Sequence, residues 1–166
     1  MDTARWTAGP TIEFNLPARF SIGLDALYRR GSATYGRAVG SAYFTGDFDT
    51  AHWEFPLYLK YRFGKGPLRP FANAGAALDY ARTATVSSCG GDVMLCTTPG
   101  AGSSKSSRGG AGVTFGGGVE LKAGPLKIAP ELRFTRWQSG HFSPGSVASY
   151  CPGSRNQASI LVGIRR

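Results

Sequence analysis

Two histidines, His52 and His141, are the only imidazoles in the chain. With Ser139, Ser143 and Glu54 they supply the side-chain types of a hydrolytic Ser-His-acid site. No Gly-x-Ser-x-Gly elbow accompanies them, so plain polar residues at a rim are the better reading of both histidines. The run Gly116-Gly117-Gly118 lacks the following lysine and helix of a phosphate loop, and close packing between strands explains it more simply. Cys89, Cys96 and Cys151 fall in loop-like stretches without the pair spacing or histidines of a zinc site. A Cys89–Cys96 disulfide in an oxidising compartment is the expected use, with Cys151 free or competing. No metal and no cofactor are expected.

The remaining polar chemistry lies in ionisable residues that recur at every second position. In His52–Phe63, HWEFPLYLKYRF, one face carries Trp53, Phe55, Leu57, Leu59, Tyr61 and Phe63, and the other Glu54, Tyr58, Lys60 and Arg62. A period of two means a strand. An aromatic wall backed by charges of both signs fits a strand between lipid and a polar lumen.

The same alternation recurs in six further stretches. Ala8, Pro10, Ile12, Phe14 and Leu16 oppose Thr7, Gly9, Thr11, Glu13 and Asn15. After a short link, Phe20, Ile22, Leu24, Ala26 and Tyr28 oppose Ser21, Gly23, Asp25, Leu27 and Arg29. Pro70 to Tyr80 opposes Arg69 to Asp79, and Val113, Phe115, Gly117, Val119 and Leu121 oppose Gly112 to Lys122. Leu126 to Phe134 opposes Ala129, Glu131, Arg133 and Thr135, and Ala158 to Ile164 opposes Ser159 to Arg165. Residues 30–51, 83–108 and 138–155 read as long loops, with Ala42–Phe48 a possible continuation of strands beyond a membrane. Pro10, Pro56, Pro70 and Pro130 each remove a ladder donor and are expected at bulges or strand ends. The phrases GPLRP and GPLKIAP mark two hairpins as repeats of one unit.

At 166 residues the chain is read as one domain, 1–166. No apolar run approaches the roughly 18 residues of a membrane helix, and a mean hydropathy of −0.16 is compatible with alternating strands. The formal charge of +9 is spread over strands, turns and loops without a basic helix, so nucleic acid is not expected and anionic lipid head groups are the fitting partner.

Alternation does not say which face points where, since a soluble lipocalin-like barrel would bury the apolar one. Three features place the apolar face in lipid. The polar face carries Gly9, Gly23, Gly75, Gly112, Gly116, Gly118 and Gly163, which suit a narrow interior. It also carries six of the ten acids, Glu13, Asp25, Glu54, Asp79, Glu120 and Glu131. Opposing them are Arg29, Lys60, Arg62, Arg69, Lys122, Arg133 and Arg165, enough for a paired lumen network. Finally, Trp6, Tyr28, Trp53, Phe63, Tyr80 and Trp137 stand near strand ends as an interface girdle, with Phe55, Tyr61, Phe115 and Phe134 facing lipid. An eleven-residue strand, at ~3.3 Å per residue and tilted ~40°, spans roughly the 25 Å apolar band of an outer membrane.

The WEFPLYLKYRF, LRPFANAGAALDY, GGGVELKAGPLKIAPELRFTRW and NQASILVGIRR stretches together resemble the small bacterial outer-membrane β-barrel family, the eight-stranded OmpA-like and OmpX-like proteins. The resemblance implies an all-β, antiparallel, up-and-down transmembrane barrel in the bacterial outer membrane, with a non-enzymatic structural, adhesive or complex-anchoring role. A soluble lipocalin-like binder and an outer-membrane lipid hydrolase are the alternatives. Two departures stand out: seven strands are visible where eight are expected, and Arg165-Arg166 replace the usual terminal aromatic. No signal peptide is visible in MDTARW. An eighth strand is therefore expected upstream of Trp6, or from another envelope protein.

Overall fold

The structure, a computed structural model, describes residues 6–39, 42–64, 66–90, 100–138 and 155–165. Their strands are β1 (Thr11–Asn15), β2 (Phe20–Asp25), β3 (Leu27–Val39), β4 (Ala42–Arg62), β5 (Leu68–Gly90), β6 (Gly100–Ala123), β7 (Leu126–Trp137) and β8 (Asn156–Arg165). No α-helix occurs among the described residues, and the expected all-β, antiparallel, up-and-down architecture is the one found. The sheet order is β1-β2-β4-β5-β6-β7-β8, with β3 also on β4. Since only Ala26 separates β2 from β3, the two make a single rung, and seven rungs follow one another in chain order. Among the described residues β1 pairs with β2 alone and β8 with β7 alone, so no β1–β8 ladder closes the sheet.

Short connections reverse the chain at one end of the sheet. Gly64 and Gly124 take φ of +81° and +63° in two of them, a conformation open to glycine at little cost. The third is a single 3-10 turn, Pro17–Arg19.

The described residues group into two compact units. The first unit is Met1–Ala8, Tyr28–Trp53 and Tyr80–Gly109; the second is Gly9–Leu27, Glu54–Asp79 and Gly110–Arg166.

In the first unit the ladder runs on through most of two stretches expected to be loops, 30–51 and 83–108, which are largely strand in β3, β4, β5 and β6. The polar, glycine-rich composition hid them. A ladder needs backbone partners and cross-strand side-chain pairs rather than an apolar face. Those pairs are here Thr34–Asp47 (2.7 Å), Thr45–Ser88 (2.6 Å) and Thr50–Thr83 (3.2 Å). Residues 139–154, nearly all of the third expected loop, lie outside the described residues, as do His141, Ser139, Ser143, Cys96 and Cys151.

In the second unit the alternation becomes an inverted burial. Leu57 and Leu132 are 53% and 62% exposed while Lys60 and Arg133 are 5% and 4% exposed. This is the reverse of a soluble ligand-binding barrel, whose interior would be apolar. Two of the four prolines depart from expectation, while Pro10 and Pro70 lie at strand ends. Pro56 and Pro130 sit inside β4 and β7, not at bulges or ends. Around Pro130 the β6–β7 ladder pauses between Gly118↔Glu131 and Leu121↔Ile128 and resumes in the same register, while the β7–β8 pairing continues through Pro130↔Val162. A missing N–H thus interrupts one neighbour's ladder without shifting the strand. Pro10 and Pro70 stay engaged through their carbonyls, which accept from Ala26 and Phe63.

Candidate functional site

The shielded face of the second unit brings acids and bases together across strands distant in sequence. The β1–β2 and β2–β4 registers set Glu13 against Gly23, Ser21 against Lys60 and Gly23 against Tyr58, so Glu13, Ser21 and Lys60 converge on one patch. Glu13 accepts from Ser21 Oγ at 2.7 Å, from Lys60 Nζ at 3.2 Å and from Arg165 Nη1 at 2.8 Å. It also pairs with Arg62 Nη2. Arg62 donates Nε to Glu120 at 2.8 Å and Nη1 to Ser21 Oγ at 3.0 Å, and Arg165 Nη2 lies 3.6 Å from Glu120. Such contacts join β1, β4, β6 and β8 and require the sheet of this unit to curl.

A second cluster is centred on Arg133. Its Nη1 reaches Asp25 at 2.6 Å and its Nε reaches Glu131 at 2.6 Å. Tyr58 donates its hydroxyl to Asp25 at 3.0 Å, and its ring lies 4.8 Å from the Arg133 guanidinium carbon. Gly23 makes room for that ring, because a Cβ there would stand 2.4 Å from it. Lys60 Nζ sits 4.5 Å from the centroid of the Phe71 ring and 5.6 Å from that of Tyr58, and the second contact links the two clusters. The four carboxylates of the two clusters, Glu13, Glu120, Asp25 and Glu131, meet four cations, Lys60, Arg62, Arg165 and Arg133. Burial of so much charge is tolerable only with pairing this complete. Glu54 accepts a hydrogen bond from Gln157 Nε2 at 2.9 Å.

Arg69 and Lys122, also expected in the network, are placed differently. Arg69 donates Nε to the Gly66 carbonyl at 2.9 Å in the turn before β5. Lys122 is exposed beside Lys127, near the short connections. Arg29 is bonded to the His52 ring at 3.1 Å in the first unit. Asp79 is buried on the inward face. Asn73 is buried too, and its amide group has no hydrogen-bond partner among the described residues.

Trp137 is a correction. Expected in the interface girdle, it is 2% exposed, and its Nε1 donates to Gln157 at 3.1 Å. Its odd position on β7, shared with Glu131, Arg133 and Thr135, carried that information. Trp6, Trp53, Phe55, Phe63, Tyr80 and Phe115 are exposed, and Tyr28, Tyr61 and Phe134 half-buried. Their rings meet across strands, Tyr28 with Trp53 at 4.9 Å, Tyr61 with Phe63 at 4.9 Å and Phe115 with Phe134 at 5.1 Å. Ser21, Tyr58, Asn15 and Gln157 were legible as inward-facing but not as network members, since only the register decides which side chains touch.

Near the short connections a cavity of about 330 Å³ is lined by Asn15, Arg62, Arg69, Glu120 and Arg165 among others. No group of three or more metal-ligating side chains occurs among the described residues. Of the hydrolase candidates, only His52 and Glu54 are described.

A family model described as an outer membrane protein beta-barrel domain matches residues 3–136. No curated protein matches the chain.

Proposed function

Because the chain belongs to the outer membrane protein beta-barrel domain family and is thereby an integral outer-membrane barrel protein, we propose that its role is structural, adhesive or complex-anchoring rather than enzymatic. The observation that carries this reading is the inverted burial, with leucines and phenylalanines facing out and a neutralised charge network within. A network of paired side chains is scaffolding, and contacts with partners are left to the long connections. The organism is bacterial on this reading, and Cys89, near the end of β5, is bridged to Cys96.

We further propose that an eighth strand fills the gap between β1 and β8. Seven alternating rungs leave these two edges running in the same direction, so a single strand of opposite direction would be antiparallel to both. Ile160 on β8 is 82% exposed and Phe14 on β1 is 67% exposed, as expected of edges awaiting a neighbour. Open ladder groups in lipid cost several kcal/mol each.

Folding of the full chain into phosphatidylcholine vesicles tests the membrane assignment. The expected result is a heat-modifiable, protease-resistant species that detergent alone extracts. A protein that is soluble and monomeric without detergent would overturn it. Thiol blocking before and after reduction tests the bridge, which predicts a single reactive cysteine before reduction.

A further inference from the structure

On the outward face of the first unit, three adjacent strands carry two stacked rows of side chains. The Tyr28–Trp53 ring contact at 4.9 Å and the Thr34–Asp47 hydrogen bond at 2.7 Å share one β3–β4 register, and in it Arg30 faces Ala51. The Thr45–Ser88 and Thr50–Thr83 contacts, at 2.6 and 3.2 Å, share one β4–β5 register, and in it Ala51 faces Arg82 and Trp53 faces Tyr80. Tyr28, Trp53 and Tyr80 therefore form an aromatic row. One pleat further along, Arg30, Ala51 and Arg82 form the next row. With neighbouring strands ~4.8 Å apart, the two arginines stand roughly 9.6 Å from each other with only a methyl group between them.

The surroundings of this notch are those of a membrane boundary. Aromatic residues mark the level where hydrocarbon gives way to head groups. On β4 the outward residues beyond Ala51 are Asp49 and Asp47, so the apolar face ends here. Arg82 donates Nε to the Tyr80 hydroxyl at 3.1 Å, which fixes its guanidinium over the aromatic row. The Asp49 carboxylate lies 3.7 Å from Arg30, with both side chains more than half exposed.

We propose that Arg30 and Arg82 bind the phosphate of an anionic lipid head group across the Ala51 notch, with the lipid's acyl chains lying against Trp53 and its neighbours. Guanidinium forks match phosphate oxygens, and the short side chain of Ala51 gives the group room to reach both. Continuity with the aromatic row favours a lipid phosphate over a free one. The inference rests on the reading of the chain as an outer-membrane barrel.

Native mass spectrometry of the full chain in detergent micelles, titrated with phosphatidic acid, phosphatidylcholine or inorganic phosphate, tests the site. Phosphatidic acid should be retained in preference to the other two. Arg30→Gln and Arg82→Gln should each weaken its binding roughly fivefold. Ala51→Leu, which fills the notch without altering charge, should weaken it as well, and Asp49→Asn should strengthen it. Lys127→Gln, at a short connection of the second unit, should change nothing. Equal binding by wild type and the Arg30→Gln/Arg82→Gln double variant would overturn the site, and so would an Ala51→Leu variant that binds as wild type does. Inorganic phosphate binding as tightly as phosphatidic acid would overturn its assignment to lipid. Vesicle insertion of the same preparations is scored separately, so failure of the membrane reading is distinguishable from failure of the notch.

Discussion

Arg62 shows how the interior is held at the residue scale. Its guanidinium spans Glu13 and Glu120, residues of β1 and β6, while also donating to Ser21. Arg62→Met would remove the common partner of two buried carboxylates and should destabilise the folded protein by about 3–5 kcal/mol. Tyr58→Phe removes only a hydroxyl from Asp25, which keeps Arg133, and should cost about 1 kcal/mol. Equilibrium urea unfolding in phosphatidylcholine vesicles measures both. Near-equal losses for the two would mean that Arg62 is not the hub its contacts describe. Sequence parity placed Arg62 and Glu120 on one face, yet 57 intervening residues separate them, and only the curl of the sheet makes them neighbours.

At the scale of the strand, the interior side chains are admitted by glycines opposite them. Gly23 pairs with Tyr58 across β2 and β4, and a Cβ at Gly23 would meet the tyrosine ring at 2.4 Å. Gly23→Val should push Tyr58 away from Asp25 and Arg133 and cost about 1–3 kcal/mol. The Gly23→Val/Tyr58→Ala double variant should lose less than the sum of the two single changes, a coupling read from a double-mutant cycle. Strict additivity would sink the packing account. Strand existence and facing were legible from the twofold alternation, whereas the strand extensions of the first unit, apart from Ala42–Phe48, were not. There the residues are polar on both faces, and backbone pairing leaves no hydrophobic period to read.

For the molecule as a whole, sidedness makes the sharpest demand. Leu59 lies on the outward face of β4, 47% exposed, near the middle of the apolar stretch. If hydrocarbon surrounds that face, Leu59→Arg should cost about 2–4 kcal/mol, measured by folding into vesicles of phosphatidylcholine. Were water the surrounding solvent, the same change would be close to neutral. Arg30 sits on an outward face as well, but beyond the aromatic row, so Arg30→Leu should leave folding within about 0.5 kcal/mol of wild type. The contrast between the two positions locates the boundary independently of lipid binding.

The amino-acid order by itself determined the strand periodicity, the apolar and charged faces, the short connections and the odd number of rungs, because each of these is a local property of backbone geometry and solvent preference. The tertiary structure alone decided which acid meets which base, that Trp137 turns inward, that Arg69 caps a turn, and that Arg30 and Arg82 flank Ala51. Those facts depend on the register between strands and the curl of the sheet, and interactions between residues far apart along the chain fix both.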